Sequence, residues 1–130
     1  MNRVIGTWTS WVSKLNVNTK KWWGSKIWTL AGGLDYAGQP RPAVILQDDR
    51  FDATSSVTVC PFTTDPTEAA VLRLSMEPNT TNGLRTSRRL MVDKIVTVSR
   101  GKLGKKIGRL DDRDIVRLNR SIVVFLGLAG

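Results

Sequence analysis

The groups that could do chemistry in this sequence are limited by its lack of histidine. The chain has no histidine and one cysteine, Cys60. An imidazole base, a Ser/His triad, a zinc site of the usual Cys/His kind and an internal disulfide are therefore excluded. Cys60 lies in an apolar segment and is predicted to pack as a small core residue. The remaining candidates are arginines, carboxylates and hydroxyl groups in loops and at strand ends.

Arg41 and Asp35 lie in a glycine-rich segment, AGGLDYAGQPRP (31–42). Pro40 and Pro42 favour an extended backbone at Arg41, so its guanidinium is held on a stiff tether suited to bidentate contact with phosphate. From this feature alone, an arginine that pins the loop to a carboxylate is an equally good interpretation. Asp35 is the nearest carboxylate that could accept a proton, although taken alone it is better explained as an Asx turn.

Thr63 and Thr64 follow the apolar segment that ends at Phe62. Strand ends often carry binding sites, and hydroxyl groups can donate to phosphate oxygens. Taken alone, a turn in which threonine satisfies backbone groups is the favoured alternative. Three aspartates within residues 48–52 could bind Mg²⁺ through their oxygens, but a polar turn between two strands is the stronger prediction.

Short apolar segments separated by turns must position these groups. They lie at residues 27–30, 43–47, 56–62, 71–75, 90–92, 95–98 and 106–110. Their lengths and alternation predict short strands in a small barrel or a strongly bent sheet. The sequence therefore predicts a mainly β protein of the α+β class.

The last segment of the chain has helical periodicity. Ile115, Leu118, Ile122 and Leu126 recur at the spacing of one helical face. Asp111 or Asp112 can cap the start of this helix, and Gly127 is placed to end it.

The charge of the chain indicates a polyanionic partner. Lys and Arg number 20 against 11 Asp and Glu, a net charge of +9, and small basic domains usually act near nucleic acid. Residues 1–23 hold four of the five tryptophans and are predicted to form a basic, poorly ordered arm, with an amphipathic helix on a membrane or on RNA as the alternative. The folded domain is predicted to occupy residues 24–130. No apolar run is long enough to span a bilayer, so we expect no membrane association and a cytoplasmic location.

Three blocks resemble, in order and spacing, the MazF/PemK toxins of bacterial toxin–antitoxin pairs. They are GGLDYAGQPRPAVILQDDRF (32–51), VCPFTTD (59–65) and DKIVTVSRGKLGKKIGRLDD (93–112) with its closing helix. The resemblance, over residues 25–128, implies a small SH3-like barrel, a homodimer, and an endoribonuclease that cleaves single-stranded mRNA at short sequences without metal or other cofactor. It also implies inhibition by a cognate antitoxin protein, whose complex with the toxin would bind DNA.

The resemblance assigns catalysis to Arg41, Thr63 and Asp35. Arg41 matches the arginine of the family's R-P motif, and because a guanidinium keeps its proton it would stabilise charge on the phosphate rather than act as base. Thr63 would orient the phosphate, with Thr64 as a possible substitute. Asp35, where many members have glutamate, would accept the proton of the ribose 2′-OH.

Six positions are predicted to contact RNA: Gln47, Thr64, Tyr36, Arg85, Arg88 and Arg89. Gln47 matches a family position that is often Gln or Ser, and the three arginines would bind the RNA backbone. Tyr36, with Phe62 and Trp28, is among the aromatic residues nearest the site that could stack on bases. The sequence departs from the family at Ser25-Lys26, where a Gly-acid pair is usual, and in its tryptophan-rich arm.

Two other function classes compete with the ribonuclease. A gyrase-directed poison on the same fold, like the CcdB relatives, would place its functional residues on the C-terminal helix and leave Arg41 and Thr63 dispensable. A non-catalytic RNA-binding barrel would bind the same RNA without cutting it.

Overall fold

An antiparallel sheet makes up most of the protein. The computed structural model describes residues 26–34, 40–47, 53–66 and 72–128. The strands are β1 (Lys26–Leu34), β2 (Pro40–Ile45), β3 (Ser56–Thr63), β4 (Arg73–Met76), β5 (Arg88–Met91), β6 (Val96–Ser99) and β7 (Leu103–Arg109). Single 3-10 turns at Val92–Lys94 and Arg100–Lys102 flank β6, and helix α1 (Asp112–Phe125) closes the fold.

The strand order is β4-β5-β3-β2-β1-β7, with β6 paired to β3. β3 organises the sheet because its first half pairs with β6 and its last two residues pair with β5, on the edge away from β2. In the part of the chain that the structure describes, β4 and β7 end the sheet without pairing to each other. The predicted class, mainly antiparallel β with a C-terminal helix, is confirmed, and within the described residues the sheet does not close into a barrel.

The loop between β4 and β5 brings the two ends of the sheet together. The backbone N–H of Arg109, at the end of β7, donates to the carbonyl of Thr81 in that loop at 3.0 Å. Gly83, with a φ of +68°, lies so close to β7 that a Cβ would be 1.9 Å from the carbonyl oxygen of Ile107. A loop rather than a strand therefore covers β7, and the sheet stays open.

All the predicted strands are present with shifted boundaries. The largest functional difference is at β2, which begins at Pro40 rather than Ala43. Arg41 is thus the second residue of a strand and not the end of a loop. Pro40 is tolerated because it is the first residue of the strand, and Pro42 precedes Ala43, where the pairing of β2 with β3 begins.

Alternation along β2 and β3 sends apolar side chains to both faces of the sheet. Val44 and Phe62 belong to the main core, which α1 covers with Ile115 and Leu118. Ala43, Val59 and their neighbours form a second buried cluster on the other face. Two buried faces hold these strands in a fixed register, and that register positions the candidate site.

Helix α1 has the predicted ends. The side chain of Asp111 accepts a hydrogen bond from the backbone N–H of Asp114 at 2.9 Å and caps the first turn. Gly127 has a φ of +74° just beyond the last turn. Among the described residues, no helix has the length and apolar character needed to cross a membrane.

Candidate functional site

The candidate site is a row of side chains across neighbouring strands. Arg41 in β2 lies opposite Leu30 in β1, and Thr63 in β3 lies opposite Arg89 in β5. The β2–β3 pairing ends with Ala43 opposite Pro61, and continuing that register by two residues would set Arg41 opposite Thr63. Because strand side chains alternate with a period of two, Arg41, Thr63 and Arg89 share one face of the sheet.

The hydroxyl of Thr63 is held in one orientation by the backbone. Its Oγ1 accepts a hydrogen bond from the N–H of Asp65 at 3.1 Å, and the residue is only 6% exposed. A threonine hydroxyl that accepts in this way still has its proton to donate. Thr63 therefore has the geometry of a fixed donor at the end of β3, as both the turn interpretation and the phosphate-orienting prediction require.

Two buried polar atoms beside this row lack hydrogen-bond partners within the described residues. They are Nε of Arg41 and Oγ1 of Thr64. Native proteins leave few such groups unsatisfied, so each one needs an explanation such as a ligand or an ordered water.

The three arginines predicted to contact RNA occupy different environments. Arg85 is exposed in the β4–β5 loop. Arg88 is buried, with 5% of its surface accessible. Arg89 is half-buried and its Nη1 donates to the carbonyl of Pro66 at 3.0 Å. The sequence treated them as equivalent contacts, whereas the structure makes Arg88 and Arg89 fixed parts of the strand end.

A pocket of about 210 Å³ opens beside Thr63 and Thr64. Arg88 and Arg89 contribute cations to its lining, and Glu77 contributes a carboxylate that accepts a hydrogen bond from Ser87. Hydroxyl donors and guanidinium groups around one small pocket can bind a phosphate and stabilise added negative charge on it. Glu77 and Ser87 were not predicted, since their strand-flanking positions carry no motif.

The remaining predicted residues lie elsewhere or outside the described residues. Gln47 is beyond the other end of β2, where its Oε1 accepts from the N–H of Thr58 at 3.1 Å and its Nε2 donates to Thr54 at 3.2 Å. It is therefore not brought together with Arg41. Asp35 and Tyr36 lie outside the described residues.

Of the three aromatic residues predicted near the site, the structure describes Phe62 and Trp28, and both pack against apolar clusters. The suggestion that Phe62 could stack on a base is wrong, because Phe62 is 0% exposed within the main core. Trp28 is half-buried and packs against the second cluster. The sequence prediction missed this because alternating side chains along a strand do not show that both faces of the sheet are buried.

Cys60 is an inert core residue, as the sequence predicted. It is fully buried, and burial, with a smaller contribution from the charge of Asp93, raises the pKa of its thiol to about 12. A thiol that stays protonated is a poor nucleophile. In the described part of the chain, no three His, Cys, Asp or Glu side chains cluster as metal ligands would.

The fold and the row define a class: a small basic protein whose open antiparallel sheet carries arginines and a threonine hydroxyl on one face. Comparison with known proteins gives the family. Residues 26–126 match the family model described as PemK-like, MazF-like toxin of type II toxin–antitoxin system. The chain therefore belongs to the PemK/MazF toxin family.

Individual relatives agree with this assignment. The chain is 53% identical over 104 residues to a probable endoribonuclease MazF of Mycolicibacterium smegmatis, covering 80% of this chain and 95% of the relative. Its fold is similar to that of the Mycobacterium tuberculosis toxin MazF-mt6, with a TM-score of 0.64 at 22% identity, over 78% of this chain and 96% of the other. A mycobacterial endoribonuclease in complex with its cognate antitoxin has a TM-score of 0.63 at 20% identity, over 82% and 95% of the two chains.

Proposed function

We propose that this toxin is an endoribonuclease that cuts single-stranded RNA at short sequences. The observation that carries the proposal is the row in which Thr63 is flanked by Arg89 and, by continuation of the register, by Arg41. The relative with 53% identity is named a probable endoribonuclease, which supports the same activity here.

The proposed chemistry needs no group other than the chain, its substrate and solvent water. The ribose 2′-OH attacks the adjacent phosphorus and its proton passes to a base. The P–O5′ bond then breaks as the departing 5′ oxygen takes a proton from solvent water, so no proton is gained or lost overall. The products are a cyclic phosphate and a 5′-OH end. Asp35 is the proposed base, on the family resemblance.

Arg41 and Thr63 would stabilise the pentavalent phosphorane on this path. Arg41 has a buried Nε without a partner among the described residues, so a phosphate oxygen would supply the acceptor that this atom lacks. A preorganised donor of this kind typically lowers a barrier by about 3 to 4 kcal/mol. Thr63, fixed by Asp65, would orient the same phosphate. Neither group is a strong acid or base, so turnover should be slow.

The proposed partners follow from charge and apolar exposure. A surface that binds the RNA backbone also suits an acidic antitoxin segment, so the antitoxin would inhibit by competing with RNA for that surface.

A second copy of the chain would cover the exposed apolar side chains at the end of α1. They include Phe125 at 43%, Leu126 at 57% and Leu128 at 72% exposure. We propose a cytoplasmic homodimer that acts on mRNA and binds DNA only with its antitoxin.

The experiment is incubation of the purified protein with a long unstructured RNA in EDTA, followed by mapping of the product ends. Discrete cuts with 5′-OH ends would support a sequence-specific, metal-independent ribonuclease. RNA that is bound but intact would favour the non-catalytic barrel. Intact and unbound RNA, from a folded dimer, would favour a poison directed at a protein such as gyrase.

A further inference from the structure

A second, larger pocket lies on the other face of β2 from Arg41. Its volume is about 500 Å³, and Pro40 and Pro42 of β2 line it together with the β4–β5 loop and β7. Pro40 and Pro42 alternate with Arg41 along the strand, so they point to the opposite face. This pocket is therefore distinct from the row of Arg41, Thr63 and Arg89.

The lining of this pocket is strongly basic. It includes Arg85 and Arg88 from one side and Lys105 and Lys106 from β7, and among the described residues it contains no acidic side chain. Consecutive lysines normally point to opposite faces of a strand. The β1–β7 pairing shifts register on both sides of the Trp28–Lys106 pair, and such irregularities re-aim side chains, which explains how both lysines line one pocket.

The rest of the lining is apolar. Pro40, Pro42, Leu84 and Ile107 provide walls, with the hydroxyl-bearing Thr29 beside them. Flat apolar surface next to several cations suits an unstacked base joined to a phosphate. A volume of about 500 Å³ falls within the usual range for small-molecule sites, roughly 300–1,000 Å³.

The loop that forms one wall is held rigid by its own side chains. The Oδ1 of Asn79 accepts from the N–H groups of Thr81 and Asn82 at 2.9 and 2.7 Å. Asn82, 1% exposed, accepts from the N–H of Leu84 at 2.9 Å and donates to the carbonyl of Glu77 at 2.9 Å. A preformed wall lowers the cost of ordering when a ligand binds.

The large pocket and the smaller pocket at Thr63 have one lining residue in common. That residue is Arg88, which is buried, with 5% of its surface exposed to solvent. Both pockets therefore lie beside Arg88, at the start of β5. A strand of RNA held at Thr63 could place a neighbouring nucleotide in the larger pocket.

We propose that this pocket is a subsite for a nucleotide next to the cleaved bond, and that it contributes to sequence preference. The inference rests on the proposed ribonuclease function. Lys105 and Lys106 bind the phosphate of that nucleotide, and the walls formed by Leu84 and the prolines select its base.

The test compares the Lys105→Ala/Lys106→Ala variant with the wild type, using oligoribonucleotides extended by two nucleotides on the 5′ or the 3′ side of the mapped cut. Charged hydrogen bonds of this kind change affinity by at least about tenfold. The variant should raise KM about tenfold for the substrate extended on one side and change kcat little. A Lys102→Ala/Arg113→Ala variant, which removes two exposed cations elsewhere, should match the wild type. Equal KM values for the wild type and the Lys105→Ala/Lys106→Ala variant on both substrates would overturn the inference.

A binding measurement separates this inference from the proposed function. The four nucleoside 5′-monophosphates are titrated into the ¹⁵N-labelled protein, and the amide shifts of Gly83, Arg85 and Lys106 are followed. Saturable shifts there, lost in the Lys105→Ala/Lys106→Ala variant, would support the subsite even if the wild type cuts no RNA. No shifts at these amides, or shifts with polyglutamate alone, would reject a nucleotide subsite even if RNA is cut.

Discussion

Thr63, the last residue of β3, lies directly opposite Arg89 of β5. The N–H of Asp65 and the carbonyl of Pro66 fix the two side chains. The hydroxyl and the guanidinium are therefore both held by backbone groups before any substrate arrives. Such preorganisation is what electrostatic stabilisation of a transition state requires, because no reorganisation is needed during the reaction.

Thr63→Val should lower the cleavage rate by about 10²-fold, the usual effect of losing one preorganised donor. Valine keeps the shape but loses the hydroxyl that accepts from Asp65. Thr63→Ser, which keeps the hydroxyl, is the matched control and should retain most activity. Single-turnover rates on one mapped RNA check this, and equal rates for the valine and serine variants would contradict it.

Gly83→Ala should destabilise the fold by about 1–3 kcal/mol or more, since a side chain is strained at positive φ. Its φ is +68°, and the new Cβ would be 1.9 Å from the carbonyl oxygen of Ile107. Gly101→Ala is the control, because the nearest atom to its Cβ would be the Ser99 hydroxyl at 3.7 Å. Urea denaturation measures both, and a Gly83→Ala variant as stable as Gly101→Ala would show that the loop can move off β7.

Cys60 should make the free energy of unfolding depend on pH in the alkaline range. Its pKa is raised from 9.0 to about 12, so the folded state keeps a proton that the unfolded chain releases. This contribution is fully present below pH 9 and is lost as the pH rises toward 12, at about 1.4 kcal/mol per pH unit. The free energy of unfolding is measured against pH for the wild type and for Cys60→Ala. The difference between the two proteins removes the contribution of the lysines, and a difference that does not change with pH would refute the prediction.

Asp111→Ala should lower the free energy of unfolding by about 1 kcal/mol, because it removes the side chain that caps α1. The lost hydrogen bond is the one from the N–H of Asp114 at 2.9 Å. Asp112→Ala, an exposed neighbour in the first turn of the helix, removes the same charge without removing the cap. Chemical denaturation should therefore rank Asp111→Ala below Asp112→Ala, and the reverse order would assign the effect to charge alone.

The sequence predicted the class of fold because alternation and helical periodicity are local signals. The strands at Ile27, Val44 and Val59, and the capped helix after Asp111, follow directly from such patterns. It also selected Arg41 and Thr63, through the prolines beside one and the strand end at the other.

Other features depend on pairing between distant segments and could not be predicted. The open sheet results from the β4–β5 loop packing on β7, through contacts such as Arg109 to Thr81. Two consecutive lysines of β7 line the large pocket, next to a register shift between β1 and β7. Arg88 is buried at the start of β5 whereas Arg85 is exposed, and nothing in the sequence of these arginines distinguishes the two.

Arg41 is proposed to stabilise the charge that develops on a phosphate during RNA cleavage. The most direct measurement is the single-turnover cleavage rate, in EDTA, of the wild type, Arg41→Ala and Arg41→Lys on the same mapped RNA. Loss of one preorganised donor predicts a fall of about 10²- to 10³-fold for Arg41→Ala, with a native circular dichroism spectrum and RNA binding reduced far less than the rate. Arg41→Lys keeps the charge without the bidentate geometry and should fall between the two. A folded Arg41→Ala variant that cleaves the RNA at the wild-type rate would contradict this role of Arg41.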